Sequence, residues 1–190
     1  MTGFDCCRHM GKIRTEIDEV ARKFIEAQKI FFVASAPLSA EGHVNVSPKG
    51  MDTFRILGPT TVAYLDFNGS GVETIAHLKE NGRIVLMFCA FEGPPDIFRL
   101  YGQGRVVEAH EPEFSTLAES FAAFDHVRSM IVVEVTRVTD SCGYGVPLFK
   151  YEGERTQLQA WASKRGAEGL KGYRQEKNRR SIDGMPGLVE

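Results

Sequence analysis

The sequence predicts a mainly β protein, a small antiparallel barrel with flanking helices. Six runs rich in β-branched and aromatic residues follow one another over 29–109, mostly separated by Gly, Pro or Asn, and a seventh occupies 128–138. Runs of this composition are typical of strands. Only one helical stretch interrupts the first six runs, whereas a doubly wound fold alternates strand and helix throughout. The order of the elements therefore favours an antiparallel barrel.

The individual elements follow from hydrophobic periodicity. A first amphipathic helix is predicted over 16–28, where apolar residues recur at helical spacing. The six strand runs read KIFFVASA, HVNVSP, FRIL, TTVAYLD, RIVLMFCA and DIFRLYGQGRVVEA. Helices are predicted over 71–80, after the fourth run, and around 112–122, before the last strand, RSMIVVEVTRV. The helical pattern returns over 154–177.

The length of 190 residues fits one domain. We expect a single domain over 1–190, with a mobile tail over 1–12, a barrel core over 30–138, and a C-terminal helix and tail over 154–190.

Composition and charge exclude several classes of protein. The 43% hydrophobic and 25% charged content is typical of a globular protein, and the longest apolar run, Ile84 to Phe91, is far too short for a membrane span. The first residues lack the apolar stretch of a secretory signal, so a cytoplasmic protein is expected. The net charge is -2 and the basic residues are spread along the chain until Lys177 to Arg180. We therefore expect no membrane and no nucleic-acid partner.

The cysteines and histidines predict no metal site and no catalytic triad. Cys6, Cys7, Cys89 and Cys142 show no metal-ligand spacing, so free thiols are expected. The five histidines form no recognisable pattern either. The sequence identifies no catalytic residue.

Two stretches carry features of anion binding. In HVNVSPKG, a strand runs into Ser47 and Lys49, a hydroxyl donor and a compact phosphate-binding charge. In YLDFNGSGVETIAHLKENGRI, a strand ends at Leu65 and a capping box of Ser70 and Glu73 opens a helix.

The start of that helix could attract an anion. Its free N–H groups and positive dipole end favour negative charge, and Gly71 lets a bulky anion approach the backbone. Most capped helices bind nothing, and a lysine after a proline is more often a solvated turn residue. A closed sheet that brings Lys49 beside the helix would favour the binding interpretation.

These stretches, with FRLYGQGRVVE further along, make the sequence resemble the pyridoxamine 5'-phosphate oxidase-like flavoproteins. The resemblance covers roughly Ile30 to Glu108. It implies a six-stranded antiparallel split β-barrel that binds FMN, and a homodimer with FMN in a cleft between the subunits.

The resemblance also implies a set of cofactor-binding residues. Asn45, Val46 and Ser47 would lie along the flavin, with Lys49 at its phosphate or ring edge. Leu65 and Asp66 would face the isoalloxazine ring. The phosphate would be lined by Asn68, Ser70, Gly71 and Val72.

The sequence departs from true pyridoxamine phosphate oxidases in three places. Val44 stands where these have an arginine, Ser70 to Val72 replace a Ser-Arg-Lys run, and the C-terminal Arg-Leu-x-Pro signature is absent. Pyridoxine phosphate is therefore not the expected substrate, and the small-molecule substrate is unidentified. Two function classes stay open: an FMN-dependent oxidoreductase, or a non-catalytic flavin, deazaflavin or haem binder acting as a carrier or sensor.

Overall fold

The computed structural model describes residues 11–122, 124 and 126–189. In chain order its elements are β1 (Ile13–Arg14), α1 (Glu19–Ala27), β2 (Phe31–Ser35), β3 (Asn45–Lys49), β4 (Phe54–Ile56), β5 (Thr61–Phe67), α2 (Glu73–Asn81), β6 (Arg83–Cys89), β7 (Asp96–Glu108), α3 (Pro112–Ala118), β8 (Val127–Cys142) and α4 (Gln157–Lys177). Cys6, Cys7 and most of the tail predicted as mobile lie outside the described residues.

All the strands belong to one antiparallel sheet with the order β3-β2-β6-β7-β8-β5-β4, and β1 pairs with β8 beside it. Laid flat, six strand-to-strand steps of roughly 4.8 Å would separate β3 from β4 by about 29 Å. The chain from Lys49 to Phe54 can span at most about 18 Å. The sheet must therefore curl until its two ends approach each other. No ladder joins β3 to β4 within the described residues, so the barrel is split at that point.

The predicted fold class is confirmed. The part of the chain that the structure describes has eight strands, whereas the family resemblance implied six and the apolar runs predicted seven. The seven apolar runs form β2 to β8, and β1 adds two residues paired with Thr139 and Val138. A two-residue strand is too short to show the alternation by which strands are recognised in a sequence.

Two apolar clusters explain why β5 and β8 read as nearly continuous apolar runs. Val62 and Tyr64 of β5 point into the barrel interior, whereas Ala63 and Leu65 point to a second cluster beneath α3. A strand that is buried on both faces loses the polar alternation of a half-exposed strand. The interior cluster also contains residues of α1 and α2 and Leu188, near the C-terminal end.

The helix boundaries differ from the prediction for local reasons. α1 begins at Glu19 because the Asp18 side chain caps it, with Oδ1 accepting the Ala21 N–H at 2.9 Å. α4 is interrupted at Gly166, whose φ of 65° and ψ of 177° suit only glycine. No described helix is both long and apolar enough to cross a membrane.

Candidate functional site

The edge strand β3 presents alternate faces, and this divides the residues predicted along the flavin. Asn45, Ser47 and Lys49 are half-buried, whereas Val46 and Pro48 are exposed on the opposite face. The predicted contribution of Val46 is therefore limited to its backbone. The side chains of Asn45, Ser47 and Lys49 point toward α2 and the end of β5.

Asn45 joins β3 to α2. Its Nδ2 donates to Thr74 Oγ1 at 2.9 Å, and its Oδ1 accepts a weaker bond from Ser47 Oγ at 3.4 Å. Behind it, the buried Ser35 hydroxyl lies 2.9 Å from His77 Nδ1. This polar layer fixes the distance between the edge strand and the helix.

Asp66, at the end of β5, is the centre of a buried charge cluster. Lys49 Nζ lies 2.9 Å from its Oδ1, and Arg128 Nε, from β8, lies 2.7 Å from its Oδ2. Burial would raise the pKa of Asp66, but Arg128 and Lys49 outweigh that effect and hold it at about 2. The carboxylate is therefore ionised at neutral pH. Two cations around one anion leave a surplus of one positive charge.

The structure brings Lys49 and Asp66 together, at the end of β5, but Leu65 points away from them. The Leu65 side chain is buried in the cluster beneath α3, and its N–H donates to Thr53 O at 2.9 Å. Leu65 could therefore offer a ligand only its carbonyl. The Lys49 ammonium also lies 5.9 Å from the centre of the Tyr64 ring, whose hydroxyl is buried without a hydrogen-bond partner in the described structure.

The loop after β5 is occupied by interactions within the chain. Asn68 is buried, with Nδ2 donating to His126 O at 2.7 Å and Oδ1 accepting from Arg174 at 3.4 Å. The Gly69 carbonyl accepts from Arg128 and from Asn178. The side chain of Asn68 is thus committed to holding the loop, and little of it is left for a phosphate.

The predicted capping box is wrong. α2 begins at Glu73 with Val72 as its N-cap residue, and no side chain caps it. The Glu73 carboxylate instead accepts the Ile182 N–H at 3.3 Å. Val72 is buried in the core, while Ser70 is exposed and Gly71 half-buried. Because Glu73 places a negative charge at the helix start, this end of the site is less favourable for phosphate than the sequence suggested.

Residues 178–189, here called the C-terminal strap, cover the start and one side of α2. The fully buried Asn178 donates from Nδ2 to Gly69 O at 2.8 Å. Asp183 accepts the His43 N–H at 2.9 Å, and Lys79 Nζ donates to Gly187 O at 2.7 Å. Leu188 is buried in the barrel core. The strap therefore ties α2, the loop before it and the approach to β3 together.

Sequence reasoning missed Arg128 and Arg174. Arg128 could have been noticed as a charged residue that opens an otherwise apolar strand, RSMIVVEV, and such a residue needs a partner when it is buried. Arg174 reaches Asn68 from a helix distant in sequence, and no local pattern announces it.

Other polar side chains of the sheet and of α2 have ordinary surroundings. Arg105 pairs with Glu113, and Arg99 donates to Ser141 Oγ at 2.9 Å. Burial lowers the pKa of His77. The described residues contain no cluster of three or more His, Cys, Asp or Glu side chains suited to a metal.

Comparison with known proteins identifies the family. The sequence model described as pyridoxamine 5'-phosphate oxidase matches residues 17–142. The chain is also 39% identical over 178 residues to the pyridoxamine 5'-phosphate oxidase family protein ustO of Aspergillus flavus, covering 85% of this chain and 71% of that protein. The chain belongs to the pyridoxamine 5'-phosphate oxidase family, which confirms the resemblance found in the sequence.

Solved structures show the same fold at low identity. A single-substitution variant of HupZ from Group A Streptococcus superposes on this chain with a TM-score of 0.52 at 20% identity, covering 65% of this chain and 98% of HupZ. A candidate pyridoxamine 5'-phosphate oxidase of Lactobacillus delbrueckii gives a TM-score of 0.52 at 14% identity, covering 68% of this chain and 98% of that one. The split-barrel fold is therefore shared with both. The family match ends at Cys142, before α4 and the C-terminal strap.

Proposed function

We propose that the chain is an FMN-binding flavoprotein that oxidises or reduces a small molecule other than pyridoxine phosphate. The observation that carries the proposal is the charge cluster around Asp66. Lys49 and Arg128 together exceed the single carboxylate by one positive charge, and the Lys49 side chain is 21% exposed. A partly exposed surplus charge beside polar donors suits an anionic cofactor.

The residues present fit such a cofactor best along β3. Ser47 can donate from its hydroxyl, because among the described residues it makes one weak 3.4 Å bond, to Asn45, and Lys49 can supply charge. At the α2 end the fit depends on the backbone around Ser70 and Gly71, since Asn68 and Glu73 are engaged elsewhere. When bound, a flavin itself supplies the redox chemistry, and the protein binds it, orients it and tunes its environment.

The absorption spectrum of the purified protein, with an FMN titration of the stripped protein, tests the proposal. Flavin bands and stoichiometric FMN binding are the expected results. Reduction of the bound flavin by a nicotinamide cofactor or another physiological donor, followed by reoxidation in turnover, would support the oxidoreductase activity. Reduction by dithionite alone across a wide panel of donors would favour a carrier or sensor. A Soret band, or a preference for deazaflavin over FMN, would overturn the cofactor assignment.

We also propose that the protein is a homodimer. β3 lies at the edge of the sheet, with Val46 62% exposed on its outer face and Val44, just before the strand, 72% exposed. Two exposed valines at an edge strand favour a contact with another chain. Light scattering should give twice 21.1 kDa, and Val46→Lys should shift the protein toward monomer. A wild-type monomer that still holds flavin would contradict this proposal.

A further inference from the structure

A cavity separate from the candidate flavin site lies where the barrel splits. It has a volume of about 320 Å³, within the range of small-molecule sites, and opens between the end of α1 and the start of β4. Three mutually contacting rings line its apolar side: Phe31, Phe54 and Phe88, with centroids 5.0 to 5.5 Å apart. Phe54 is the least buried of the three. Phe31 and Phe88 are core residues, 4% and 1% exposed, so the ring surface that a flat apolar body could pack on belongs to Phe54.

The rim of the cavity carries one cation without an acidic partner. Arg55 is held by both carboxylate oxygens of Asp52, each at 2.9 Å, and Glu26 pairs with Arg22 at 3.3 Å. Lys29 forms no ion pair with any residue the structure describes, and its ammonium lies 5.9 Å from the centre of the Tyr151 ring. Glu154 is also near Gly50 at this rim, and its Oε1 accepts the Tyr151 hydroxyl at 2.8 Å. Glu154 is therefore engaged by Tyr151, and Lys29 can pair with an anionic group of a ligand.

The turn at the cavity mouth is strained. Met51 and Asp52 are consecutive non-glycine residues with φ of 63° and 54°. This left-handed conformation is uncommon for a residue such as Met. Two contacts maintain the turn: the Asp52–Arg55 pair, and the bond from Thr53 Oγ1 to Gly50 O at 2.7 Å. Strained backbone of this kind concentrates at binding sites, where the surrounding structure enforces it. It is an observation independent of the cavity and of Lys29.

We propose that this cavity binds a small aromatic carboxylic acid, with the ring packed on Phe54, which Phe31 and Phe88 support from behind, and the carboxylate paired with Lys29. The site is separate from the charge cluster around Asp66. The Tyr64 ring lies between them, since it makes an edge contact with Phe31 at 5.6 Å and lies 5.9 Å from the Lys49 ammonium. The proposal does not depend on the identity of the cofactor.

Phenylacetate is the probe, and neutral phenylacetamide is its matched control ligand. Calorimetric titration and saturation-transfer NMR should show phenylacetate binding more tightly than the amide by about threefold, as expected for one ion pair at an exposed lysine. Lys29→Met should remove that difference and leave amide binding unchanged. Lys23→Met removes the same charge from an exposed position of α1, and it should change the binding of neither phenylacetate nor phenylacetamide.

Two further measurements separate this cavity from other sites. Ile56→Phe, which fills the cavity from β4, should abolish binding of both ligands while a wild-type melting temperature shows that the fold is intact. Saturating FMN should leave phenylacetate binding unchanged. The proposal is overturned if phenylacetate does not bind, if Lys29→Met binds it like the wild type, or if FMN displaces it, which would merge the cavity with the flavin site.

Discussion

The two sides of the candidate flavin site are held by the chain in different ways. The loop side, residues 67–73, is fixed by Arg128, Arg174 and the C-terminal strap. The edge side, Asn45–Lys49, pairs with β2 alone and leaves its outer face exposed. The loop side therefore has its hydrogen-bonding groups satisfied within the chain, and the edge side keeps donors available.

This difference predicts which substitutions lower the stability of the protein and which lower its affinity for FMN. Changes on the loop side should mainly lower the free energy of unfolding, because they remove buried contacts. Changes on the edge side should mainly lower FMN affinity, because the Ser47 hydroxyl makes one weak bond to Asn45 and Asp66 keeps Arg128 as a partner when Lys49 is replaced.

The largest effect is expected from Leu188→Ala, which removes the buried anchor of the strap. Leu188 is 3% exposed and belongs to the same core cluster as Val72 and Ile75. Truncating a buried leucine costs about 3 kcal/mol of unfolding free energy. Chemical denaturation measures the change, and Val189→Ala at the exposed neighbouring position is the control. Equal stability of the two variants would show that the strap does not hold the loop side.

A somewhat smaller effect is expected from acid titration of Asp66, where the two sides meet. The pKa of this carboxyl is about 2 in the folded protein, below its ordinary value of 3.8, despite burial and because of Arg128 and Lys49. A lowered pKa stabilises the fold above the ordinary value, here by about 2 kcal/mol, and the contribution is lost as the pH falls from about 4 to 2.

Denaturation curves at several pH values test this prediction. Asp66→Asn should be less stable at neutral pH, since Lys49 and Arg128 lose their counter-charge, and should lose less stability between pH 4 and 2 than the wild type. Glu41→Gln, at an exposed position, should follow the wild-type curve. An unchanged acid limb in Asp66→Asn would contradict the assigned role of the cluster.

On the edge side, Lys49→Ala should weaken FMN binding by about tenfold, close to the 1.5 kcal/mol of one charge-assisted hydrogen bond. The loss should be greater at low salt than at high salt, because added salt already screens a charge pair. Asp66 keeps Arg128 as a partner in this variant, so stability should change less than affinity. Lys23→Ala is the charge-matched control. If Lys49→Ala binds FMN as tightly as the wild type at both salt concentrations, Lys49 is excluded from the site.

The same contrast separates what the sequence could predict from what it could not. β3 and β5 were predictable because alternation and apolar runs are local signals, and the family resemblance directed attention to Lys49 and Asp66. The ion pair between these two residues joins positions 17 apart through the curl of the sheet. No local pattern encodes that contact.

The loop side was predicted less well because distant segments compete for its groups. The S-x-x-E pattern at Ser70 and Glu73 satisfies the rule for a capping box, yet Glu73 accepts an N–H from Ile182, 109 residues further along. Arg174 and Asn178 likewise reach the loop from beyond the matched family region. A local pattern gives the preference of an isolated segment, and tertiary contacts here override it.

The smallest effects are expected near the end of β3, at Ser47 and Pro48. Pro48 is tolerated within the sheet because β3 is an edge strand, and its ring restricts the backbone that carries the Ser47 hydroxyl and the Lys49 ammonium. Pro48→Ala should lower FMN affinity by roughly 1 kcal/mol through the freedom of one backbone residue, and Ser47→Ala should lower it similarly by removing a donor.

The stability of the flavin-free protein distinguishes these two substitutions. Pro48→Ala should lower the free energy of unfolding by a comparable amount, because the unfolded chain gains freedom. Ser47→Ala should leave it nearly unchanged, since in the part of the chain that the structure describes the hydroxyl makes one 3.4 Å bond, to Asn45. Parallel FMN titrations and denaturation curves measure both quantities. If both variants bind FMN normally and both lose stability, the Ser-Pro-Lys-Gly stretch serves only the fold, and the edge side binds no cofactor through it.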